Sequence, residues 1–411
     1  MGLNETPSAN RVHIGFFGLR NAGKSSLVNA VTNQDLVIVS DVKGTTTDPV
    51  SKSMELLPLG PVLIIDTPGI DDEGALGELR VRRARQVLNK TDVAVLVVDA
   101  LTGKSPADED LIRLFRDKDV PFIIAYNKSD LLEKAPEPTG ENCIYVSATK
   151  KHNIEELKER IAALAKTDEP KLQIVGDIIS PGDFVVLVIP IDKAAPKGRL
   201  ILPQQQTIRD ILEADAAAVV VKEFELRETL ENIGKKPALV ITDSQVFAKV
   251  SADTPADIPL TSFSILFARY KGFLASAVRG VRMLDSIGEK TSTNAGAARI
   301  LIAEGCTHHR QCDDIGRVKL PRWIKQYTGM EPEFAFTSGG EFPEDLSSYD
   351  LILHCGACML NEREVRYREA CAADQGIPFT NYGITIAHIQ GILKRSVAIF
   401  PNILAELEDE G

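Results

Sequence analysis

Apolar runs of the right length for buried strands alternate with amphipathic segments along the first third of this 411-residue chain. Four runs have this character: residues 13–17, 62–65, 122–126 and 144–146. A helix is expected at residues 153–166, followed by a linker at residues 167–170. Because strands that alternate with helices build sheets covered by helices, this pattern predicts an α/β domain at residues 1–168.

The middle of the chain has a different pattern. Three short apolar runs, at residues 184–190, 199–202 and 217–221, look like strands around one helix at residues 207–213. We expect a small strand-rich domain at residues 172–265. Unpaired sheet edges invite pairing with a second copy, so dimerisation is its expected role, and a simple spacer is the alternative.

Alternation of strands and helices returns in the last third, where we expect a domain at residues 270–411. Three apolar runs each lead into a polar loop: residues 299–303, 351–353 and 378–379. A crossover helix is expected at residues 320–328, ended by Gly329. If the strands are parallel, the loops that follow them meet at one edge of the sheet, where sites in open α/β sheets form.

Composition narrows the class of protein further. The net charge of −11 and the absence of a dense lysine and arginine run argue against a nucleic-acid partner. No apolar run approaches the ~20 residues of a membrane helix, and residues 1–10 lack a signal peptide's apolar region. We therefore expect a cytoplasmic protein without membrane contact. Six cysteines are too few for a disulfide scaffold, and a reducing compartment favours metal binding at closely spaced cysteines.

A phosphate-binding motif follows the first predicted strand. The segment that begins at Gly18 matches the pattern GxxxxGK(S/T) between a strand and a helix. Gly18 and Gly23 allow backbone N–H groups to wrap the phosphates, and Lys24 reaches the β and γ oxygens. The Ser25 hydroxyl is the expected magnesium ligand, and Ser26 is expected to contribute to the same nucleotide site.

Two further segments supply groups for the magnesium ion and the γ-phosphate. A predicted strand ends in Asp66, whose carboxylate would lie near magnesium, and Gly69 would direct its N–H at the γ-phosphate. Thr46, in the run Gly-Thr-Thr-Thr-Asp that begins at Gly44, is the expected magnesium ligand of the first switch loop. Its neighbouring threonines are nearly as suitable, and a plain turn is the alternative. The expected catalytic residues are Lys24, Ser25, Thr46, Asp66 and Gly69.

Specificity for guanine is predicted by Asn127, Lys128 and Asp130, which follow a predicted strand in the pattern NKxD. The Asp130 carboxylate can accept hydrogen bonds from guanine N1–H and the 2-amino group, whereas adenine presents an acceptor at N1. Ser147 and Ala148 follow the next strand and can supply a backbone N–H to the guanine oxygen. Since these motifs occur in the order typical of GTPases, the sequence predicts a GTPase that rejects ATP.

Two clusters of metal-binding residues lie far apart in the last third of the chain. Cys306 and His308 form the first cluster, and His354, Cys355 and Cys358 form the second. Three cysteines and a histidine suit structural zinc, whereas three thiolates also suit a 4Fe-4S cluster with an exchangeable fourth ligand. Unligated core cysteines are the third possibility, and that is the role we expect for Cys143 and Cys371, which stand alone.

The phosphate, magnesium and base motifs resemble those of the TrmE and Era GTPases. TrmE-like GTPases use an asparagine at the position of Asn21 to hold potassium, and the alternative is that Asn21 bonds its own loop backbone. Potassium would supply the positive charge that an arginine finger provides elsewhere. Ile70 stands where Ras-like enzymes carry the glutamine that orients water, so we expect slow hydrolysis that potassium stimulates.

The whole chain resembles the FeFe-hydrogenase maturation GTPases of the HydF type, because a GTPase domain is combined with the pattern CxH…HCxxC. Residues 198–204 also resemble the middle region of that family. The resemblance implies an α/β protein of three domains. These are a P-loop GTPase domain, a small strand-rich dimerisation domain, and a C-terminal α/β iron–sulfur cluster domain with parallel strands.

The same resemblance implies cofactors and partners. Cys306, Cys355 and Cys358 would be the thiolate ligands of a 4Fe-4S cluster, with His308 and His354 as variable members of the ligand set. A homodimeric scaffold that binds GTP, Mg²⁺ and K⁺ would receive a transient di-iron precursor from two radical-SAM maturases. It would then deliver this precursor to apo-hydrogenase, with GTP hydrolysis acting as a switch.

Two competing interpretations remain at this point. The first is a TrmE- or Era-type GTPase of RNA modification or ribosome assembly with an added zinc module, which would be colourless. The second is a structural module in which GTP binding only stabilises the fold, without turnover that potassium stimulates.

Overall fold

The computed structural model describes residues 11–33, 50–67, 87–133, 142–165, 173–191, 200–289, 297–305, 314–339 and 341–408. The chain forms two compact units, Met1–Glu169 and Pro170–Gly411. Among the described helices, none is both long and apolar enough to cross a membrane.

A six-stranded sheet lies at the centre of the first unit. Its strands are β1 (Val12–Phe17), β2 (Val50–Leu56), β3 (Gly60–Asp66), β4 (Val93–Asp99), β5 (Phe122–Asn127) and β6 (Cys143–Tyr145). The order is β2-β3-β1-β4-β5-β6, and the strands are parallel except for the antiparallel pair β2 and β3. The strands predicted at residues 13–17, 122–126 and 144–146 are confirmed within about one residue, in line with the uncertainty of element boundaries.

Helices cover both faces of this sheet. Alternate residues of β4 enter two separate cores, because successive side chains of a strand point to opposite faces. One core packs against α1 (Lys24–Thr32) and α3 (Ile154–Ala165), and the other packs against α2 (Pro106–Asp117). A strand covered on both sides is apolar throughout, which explains the unbroken apolar run of β4.

The second unit contains two four-stranded sheets, and every strand pair in both is parallel. The first sheet has the order β10-β9-β7-β8, formed by β7 (Phe184–Val188), β8 (Ala217–Val221), β9 (Leu239–Thr242) and β10 (Leu260–Ser262). The second has the order β12-β11-β13-β14, formed by β11 (Arg299–Glu304), β12 (Glu333–Ser338), β13 (Leu351–His354) and β14 (Phe379–Asn381).

Eleven described helices surround these sheets. They are α4 (Leu202–Glu213), α5 (Leu226–Asn232), α6 (Phe247–Asp253), α7 (Phe263–Tyr270), α8 (Leu274–Gly280), α9 (Met283–Glu289), α10 (Leu320–Thr328), α11 (Glu362–Asp374), α12 (Tyr382–Ile389), α13 (Leu393–Val397) and α14 (Pro401–Glu408). One continuous hydrophobic core joins both sheets and their helices.

One predicted strand in the middle of the chain is wrong, and the sequence did not predict strands β9 and β10. Residues 199–202 were expected to form a strand, but Leu200 and Ile201 lie outside any strand and Leu202 begins α4. Pro203 occupies the first turn of this helix, where its fixed φ favours helix initiation and its missing N–H costs nothing. The apolar run is therefore the entry to a helix.

The last third of the chain follows its prediction closely. Strands β11, β13 and β14 are parallel and adjacent, so their carboxyl ends lie at one edge of the sheet. The crossover helix α10 ends at Gly329, whose φ of 66° is a left-handed conformation that favours glycine. Loops that carry metal-binding residues therefore start from neighbouring strand ends.

Candidate functional site

The phosphate loop connects β1 to α1 in a conformation that requires glycine twice. Gly18 has φ 137° and Gly23 has φ 86°. A Cβ at Gly18 would lie 2.2 Å from Val97 O, and one at Gly23 would lie 2.3 Å from Asn127 Nδ2. Asn21 adopts a left-handed φ of 64°, which asparagine tolerates better than most residues. No acidic residue or side-chain cap occupies the first turn of α1, so its N-terminus suits a phosphate.

Lys24, Ser25 and Asp66 converge beside this loop. The buried Lys24 Nζ donates hydrogen bonds to Gly18 O (2.9 Å) and Leu19 O (2.8 Å). Ser25 Oγ donates to Asp66 Oδ2 at 2.8 Å, and Ser25 and Ser26 are both exposed in the first turn of the helix. The predicted phosphate-binding lysine and the two predicted magnesium-binding groups therefore lie together.

Asp66 fits a magnesium ion. Burial raises the pKa of Asp66, and the hydrogen bond from Ser25 and the charge of Lys24 offset only part of this rise. Its Oδ1 atom is buried and has no hydrogen-bond partner among the described residues. A buried carboxylate oxygen that lacks a partner next to a serine hydroxyl is a set of hard oxygen donors, which is what magnesium binds.

Thr67, the residue after Asp66, was not assigned a role from sequence. Thr67 Oγ1 donates a hydrogen bond of 2.6 Å to Phe16 O, and its backbone N–H donates to the same oxygen at 3.2 Å. These bonds fix the end of β3 against β1, and so fix the position of Asp66. The predicted switch residues Thr46 and Gly69 lie outside the described residues.

Asn127 connects the phosphate loop to the predicted base-binding loops. Its Nδ2 atom donates to Ala22 O at 3.1 Å, while its Oδ1 atom accepts a hydrogen bond from Ala148 N at 3.1 Å. Asn127 is buried, so neither bond competes with water. The Asn127 side chain therefore links the phosphate loop at Ala22 to the loop that contains Ala148.

The side chain predicted to read guanine is held in place by a serine. Ser147 Oγ donates a hydrogen bond of 2.5 Å to Asp130 Oδ1 and accepts one of 3.0 Å from Lys150 N. Asp130 itself is exposed, so the rest of its carboxylate can accept hydrogen bonds from a base. Ser147 therefore contacts Asp130, while Ala148 N, next to it in the chain, bonds to Asn127.

Asp99 is a residue of this site that sequence reasoning missed. Lys128, in a left-handed conformation with φ 65°, donates from Nζ to Asp99 Oδ2 at 2.6 Å. Burial acts to raise the pKa of Asp99, but hydrogen bonds from Lys128 and Leu101 N outweigh it and lower the pKa. Asp99 follows the apolar run of β4 and lies beside the end of β5. A carboxylate at a strand end was the sequence signal that could have indicated a place in this site.

Gly305, the last described residue before the first predicted metal-binding segment, lies beside Cys355 at the edge of the second sheet. Cys355 N donates to Ala303 O at 2.9 Å, and Gly305 N donates to Cys355 Sγ at 3.0 Å. Gly305 immediately precedes Cys306 in the sequence. Cys306 and His308 lie outside the described residues, but the chain enters their segment directly beside the Cys355 sulfur.

Cys355 and Cys358 lie on one tight loop, and neither forms a disulfide with a described residue. Ala357, between them, has a left-handed φ of 54°, and its N–H lies 3.4 Å from Cys355 Sγ. Burial and the neighbouring Cys355 raise the pKa of Cys358, although Lys271 opposes this rise. The described residues alone contain no group of three or more metal-binding side chains. Two thiols beside the start of the Cys306 segment still suit a soft metal or an iron–sulfur cluster.

His354 has a different environment from the one expected of a ligand. The ring is fully buried, with Nδ1 2.8 Å from Cys355 O and Nε2 3.2 Å from Arg368 Nη1. Since arginine can only donate, Nε2 must accept and Nδ1 must carry the hydrogen that bonds Cys355 O. Arg368 is also buried and pairs with Glu364 at 2.8 Å. Both ring nitrogens are engaged within the fold, which does not favour a ligand role for His354.

Lys271 lies beneath the cysteine loop and was missed in the sequence. Its buried Nζ donates hydrogen bonds to Ala357 O and, at 2.6 Å, to Leu360 O. Burial lowers the pKa of Lys271 to about 8, and the nearby Cys358 and Cys355 oppose this lowering. No motif surrounds Lys271 in the sequence, so only the tertiary contact relates it to the loop.

Three family models match the chain. The family described as "Hydrogen maturase F dimerization domain" matches residues 174–272, and "Hydrogen maturase F tetramerization domain" matches residues 275–399. The family described as "50S ribosome-binding GTPase" matches residues 13–128. The first two matches cover the two sheets of the second unit, and the third covers most of the nucleotide site.

Two curated relatives each match about a third of this chain. A GTPase Der from Maridesulfovibrio salexigens is 40% identical over 136 residues, covering 32% of this chain and 30% of that protein. A tRNA modification GTPase MnmE from Dechloromonas aromatica is 34% identical over 160 residues, covering 38% and 35%. The chain thus spans about a third of the length of these curated relatives.

The solved structures that are similar to this chain include Era of Aquifex aeolicus. It has 22% identity and a TM-score of 0.34, and the match covers 54% of this chain and 98% of that one. A probable GTP-binding protein, EngB, has 27% identity, a TM-score of 0.31 and coverage of 37% and 98%.

Proposed function

Because this chain belongs to the HydF-type hydrogenase maturation GTPases, we propose that it hydrolyses GTP and carries a 4Fe-4S cluster on the same polypeptide. The observation that carries this proposal is the contact between Gly305 N and Cys355 Sγ, at 3.0 Å. The contact supports the proposal because Gly305, the residue before Cys306, lies beside the Cys355–Cys358 loop in a chain that also has a phosphate loop.

GTP hydrolysis follows from the nucleotide site. Lys24 would exchange its bonds to Gly18 O and Leu19 O for the β and γ oxygens of the nucleotide. Ser25 and Asp66 would hold a magnesium ion, which supplies positive charge to the phosphates when bound. Asp130 would select guanine while Ser147 holds its carboxylate in place. Thr46 and Gly69 would complete the site in the two switch loops.

Slow hydrolysis that potassium stimulates is a further part of the proposal. Asn21 lies in the phosphate loop with a left-handed backbone conformation, and its side-chain oxygen would bind a potassium ion. Ile70 provides no group that could orient water. Turnover should be faster in potassium chloride than in sodium chloride, and Asn21→Ala should remove the difference. Equal turnover in both salts for the native protein would contradict this part.

Cys306, Cys355 and Cys358 are the proposed thiolate ligands of the cluster. Backbone N–H groups of Gly305 and Ala357 already point at the Cys355 sulfur, and such bonds stabilise a thiolate. We keep His308 as a candidate fourth ligand, and we assign His354 to the support of the loop. A loosely held fourth position suits a carrier, because cargo that is delivered must also be released.

The cargo in this proposal is the di-iron precursor of the hydrogenase active site. Radical-SAM maturases would supply it and apo-hydrogenase would accept it, in the cytoplasm, where thiols stay reduced. The GTP-bound state of the switch loops would bias these partner contacts, which requires different partner affinities in the two states. Hydrogenase activation that is unchanged by Lys24→Ala would contradict the switch.

Homodimer formation through the middle of the chain is also proposed. Among the described strands, β8 lies at the edge of its sheet, and a sheet edge can pair with a second copy. Val220 on this strand is 47% exposed and Phe224 beyond it is 77% exposed, so apolar surface accompanies this edge. Sedimentation of Val220→Lys as a monomer would support this interface, whereas an unchanged dimer would contradict it.

Anaerobic purification followed by metal analysis, visible absorption and EPR spectroscopy tests the central proposal. A brown protein with about four irons per chain is the expected result. One zinc per chain without a chromophore would instead indicate a GTPase with a structural zinc module. If the purified protein contained neither iron nor zinc, the cluster proposal would fail and only the nucleotide activity would remain.

A further inference from the structure

The two sheets of the second unit have the same strand order and the same register. Strands β7, β8, β9 and β10 of the first correspond to β11, β12, β13 and β14 of the second. Equivalent positions pair in both sheets: Val185–Leu239 and Ile300–Leu351, Val186–Val219 and Leu301–Ala335, Leu260–Val240 and Phe379–Ile352. We call residues 184–280 the first repeat and residues 299–397 the second repeat.

The amino-acid sequence repeats as well. Ile-Pro-Leu-Thr at residues 258–261 corresponds to Ile-Pro-Phe-Thr at residues 377–380, where the last strand of each sheet begins. Gly-Arg-Leu-Ile-Leu-Pro at residues 198–203 corresponds to Gly-Arg-Val-Lys-Leu-Pro at residues 316–321, where the first helix of each repeat begins. Similar motifs at equivalent places in one topology indicate an internal duplication.

The helix after the last strand ends in the same way in both repeats. Gly272 follows α7 with φ 81°, and Gly391 follows α12 with φ 71°. Each glycine N–H donates a hydrogen bond of 2.9 Å, to Arg269 O and His388 O respectively. Lys271 immediately precedes Gly272, so its equivalent in the second repeat is Gln390.

The repeats exchange the helices that follow these two glycines, α8 and α13. Helix α8 of the first repeat packs on β14 of the second, so closely that a Cβ at Gly280 would lie 2.2 Å from Phe379 O. Helix α13 of the second repeat packs on β10 of the first, and Arg395 at its centre donates to Thr254 O at 2.8 Å. Each repeat therefore covers the edge of the other, as expected of an approximate two-fold relation.

This exchange places a residue of the first repeat in the metal site of the second. We infer that Lys271 is the positioning residue of the cluster loop, holding the Cys355–Cys358 turn through the carbonyl oxygens of Ala357 and Leu360. The inference rests on the cluster proposed at Cys306, Cys355 and Cys358. The equivalent residue of the second repeat, Gln390, carries no charge. The positive charge therefore occurs at the position beside the thiolates and not at its equivalent.

Two physical effects assign this role to an ammonium group. Ala357 is in a left-handed conformation, and its carbonyl oxygen accepts a hydrogen bond from Lys271, which stabilises the turn. A buried cation is costly unless it is bonded and paired, and here the opposite charge would come from the cluster thiolates. Lys271 would therefore stabilise the bound cluster and favour its reduction, because reduction adds negative charge.

The test compares the full-length native protein with Lys271→Gln and Lys271→Met after anaerobic reconstitution with ferrous iron and sulfide. Gln keeps a hydrogen-bond donor without charge, and Met removes both. Lys236→Met is the matched control, since Lys236 is an exposed lysine of the same repeat that pairs with Asp257. The measurements are irons per chain, the rate of iron loss to a chelator, the midpoint potential, and circular dichroism of the iron-free proteins.

Both Lys271 variants should retain the native circular dichroism, lose iron about 10- to 100-fold faster, and have a more negative midpoint potential. The control should match the native protein. Native iron retention and potential in both variants would overturn the inference, as would loss of the fold in both, which would make Lys271 a core residue only. If the native protein itself takes up no cluster, the proposed function has failed instead.

Discussion

Asn127 Nδ2 lies 3.1 Å from Ala22 O, across 105 residues of sequence, and the bond between them joins the guanine-binding region to the phosphate loop. The other end of the same side chain accepts a hydrogen bond from Ala148 N. One buried amide therefore sets the distance between the two ends of the nucleotide site.

Asn127→Ala should weaken GTP binding about 10- to 100-fold, because buried groups left without partners cost about 1–3 kcal/mol. Calorimetric titration with GTP measures the change. Asn89→Ala is the control, since Asn89 is a buried asparagine of the same unit whose Oδ1 has no partner among the described residues. Equal losses in both variants would show that Asn127 acts only through general stability.

Asp130→Asn should change the base preference from guanine to xanthine. An amide accepts from N1–H as the carboxylate does, but its NH₂ group faces the guanine amino group and can instead donate to the xanthine oxygen. GTP affinity should fall at least about tenfold while XTP affinity rises. Ser147→Ala, which removes the bond that holds Asp130 and the bond from Lys150 N, should weaken GTP binding without this reversal. Unchanged base preference in Asp130→Asn would contradict the assignment.

Asp66→Asn should stabilise the metal-free protein at neutral pH while removing its response to magnesium. Burial raises the pKa of Asp66, so the folded state binds this proton more tightly than the unfolded state. The contribution of Asp66 to stability is therefore present at acid pH and is lost as the pH rises through the raised pKa. We expect the melting temperature of the variant at pH 7 to be higher by roughly 2–8 °C.

In the native protein, magnesium with GDP should raise the melting temperature, and Asp66→Asn should be insensitive to magnesium. Scanning calorimetry with and without the metal measures both effects. A magnesium response of native size in the variant would place the metal elsewhere.

Cys355→Ser should abolish cluster binding and leave GTP hydrolysis within about twofold of native, because distant sites usually act independently. A serine hydroxyl does not ionise near neutral pH and is a poor ligand for iron. Cys371→Ser is the matched control, since Cys371 is another partly buried cysteine of the second unit. Iron content that falls equally in both variants would point to oxidation or misfolding instead of ligation.

The nucleotide site was largely predictable from the sequence. Gly18, Lys24, Ser25 and Asp130 belong to short motifs that follow buried strands, and a short motif needs only its local turn to present its groups correctly. The parallel strands of the last third were predictable too, because apolar runs and crossover helices leave few other topologies. The run at residues 199–202 was misassigned, since a short apolar segment suits a strand or a helix entry equally.

The sequence by itself determined that a guanine nucleotide site and a cysteine loop share this chain, because both are written in contiguous residues. Only the tertiary structure decided the neighbours of that loop. Lys271 donates a hydrogen bond to Ala357 O across 86 residues of sequence. The two ring nitrogens of His354 form hydrogen bonds with Cys355 O and Arg368. Such contacts depend on how the two repeats pack, and packing energies between distant segments leave no local pattern in a sequence.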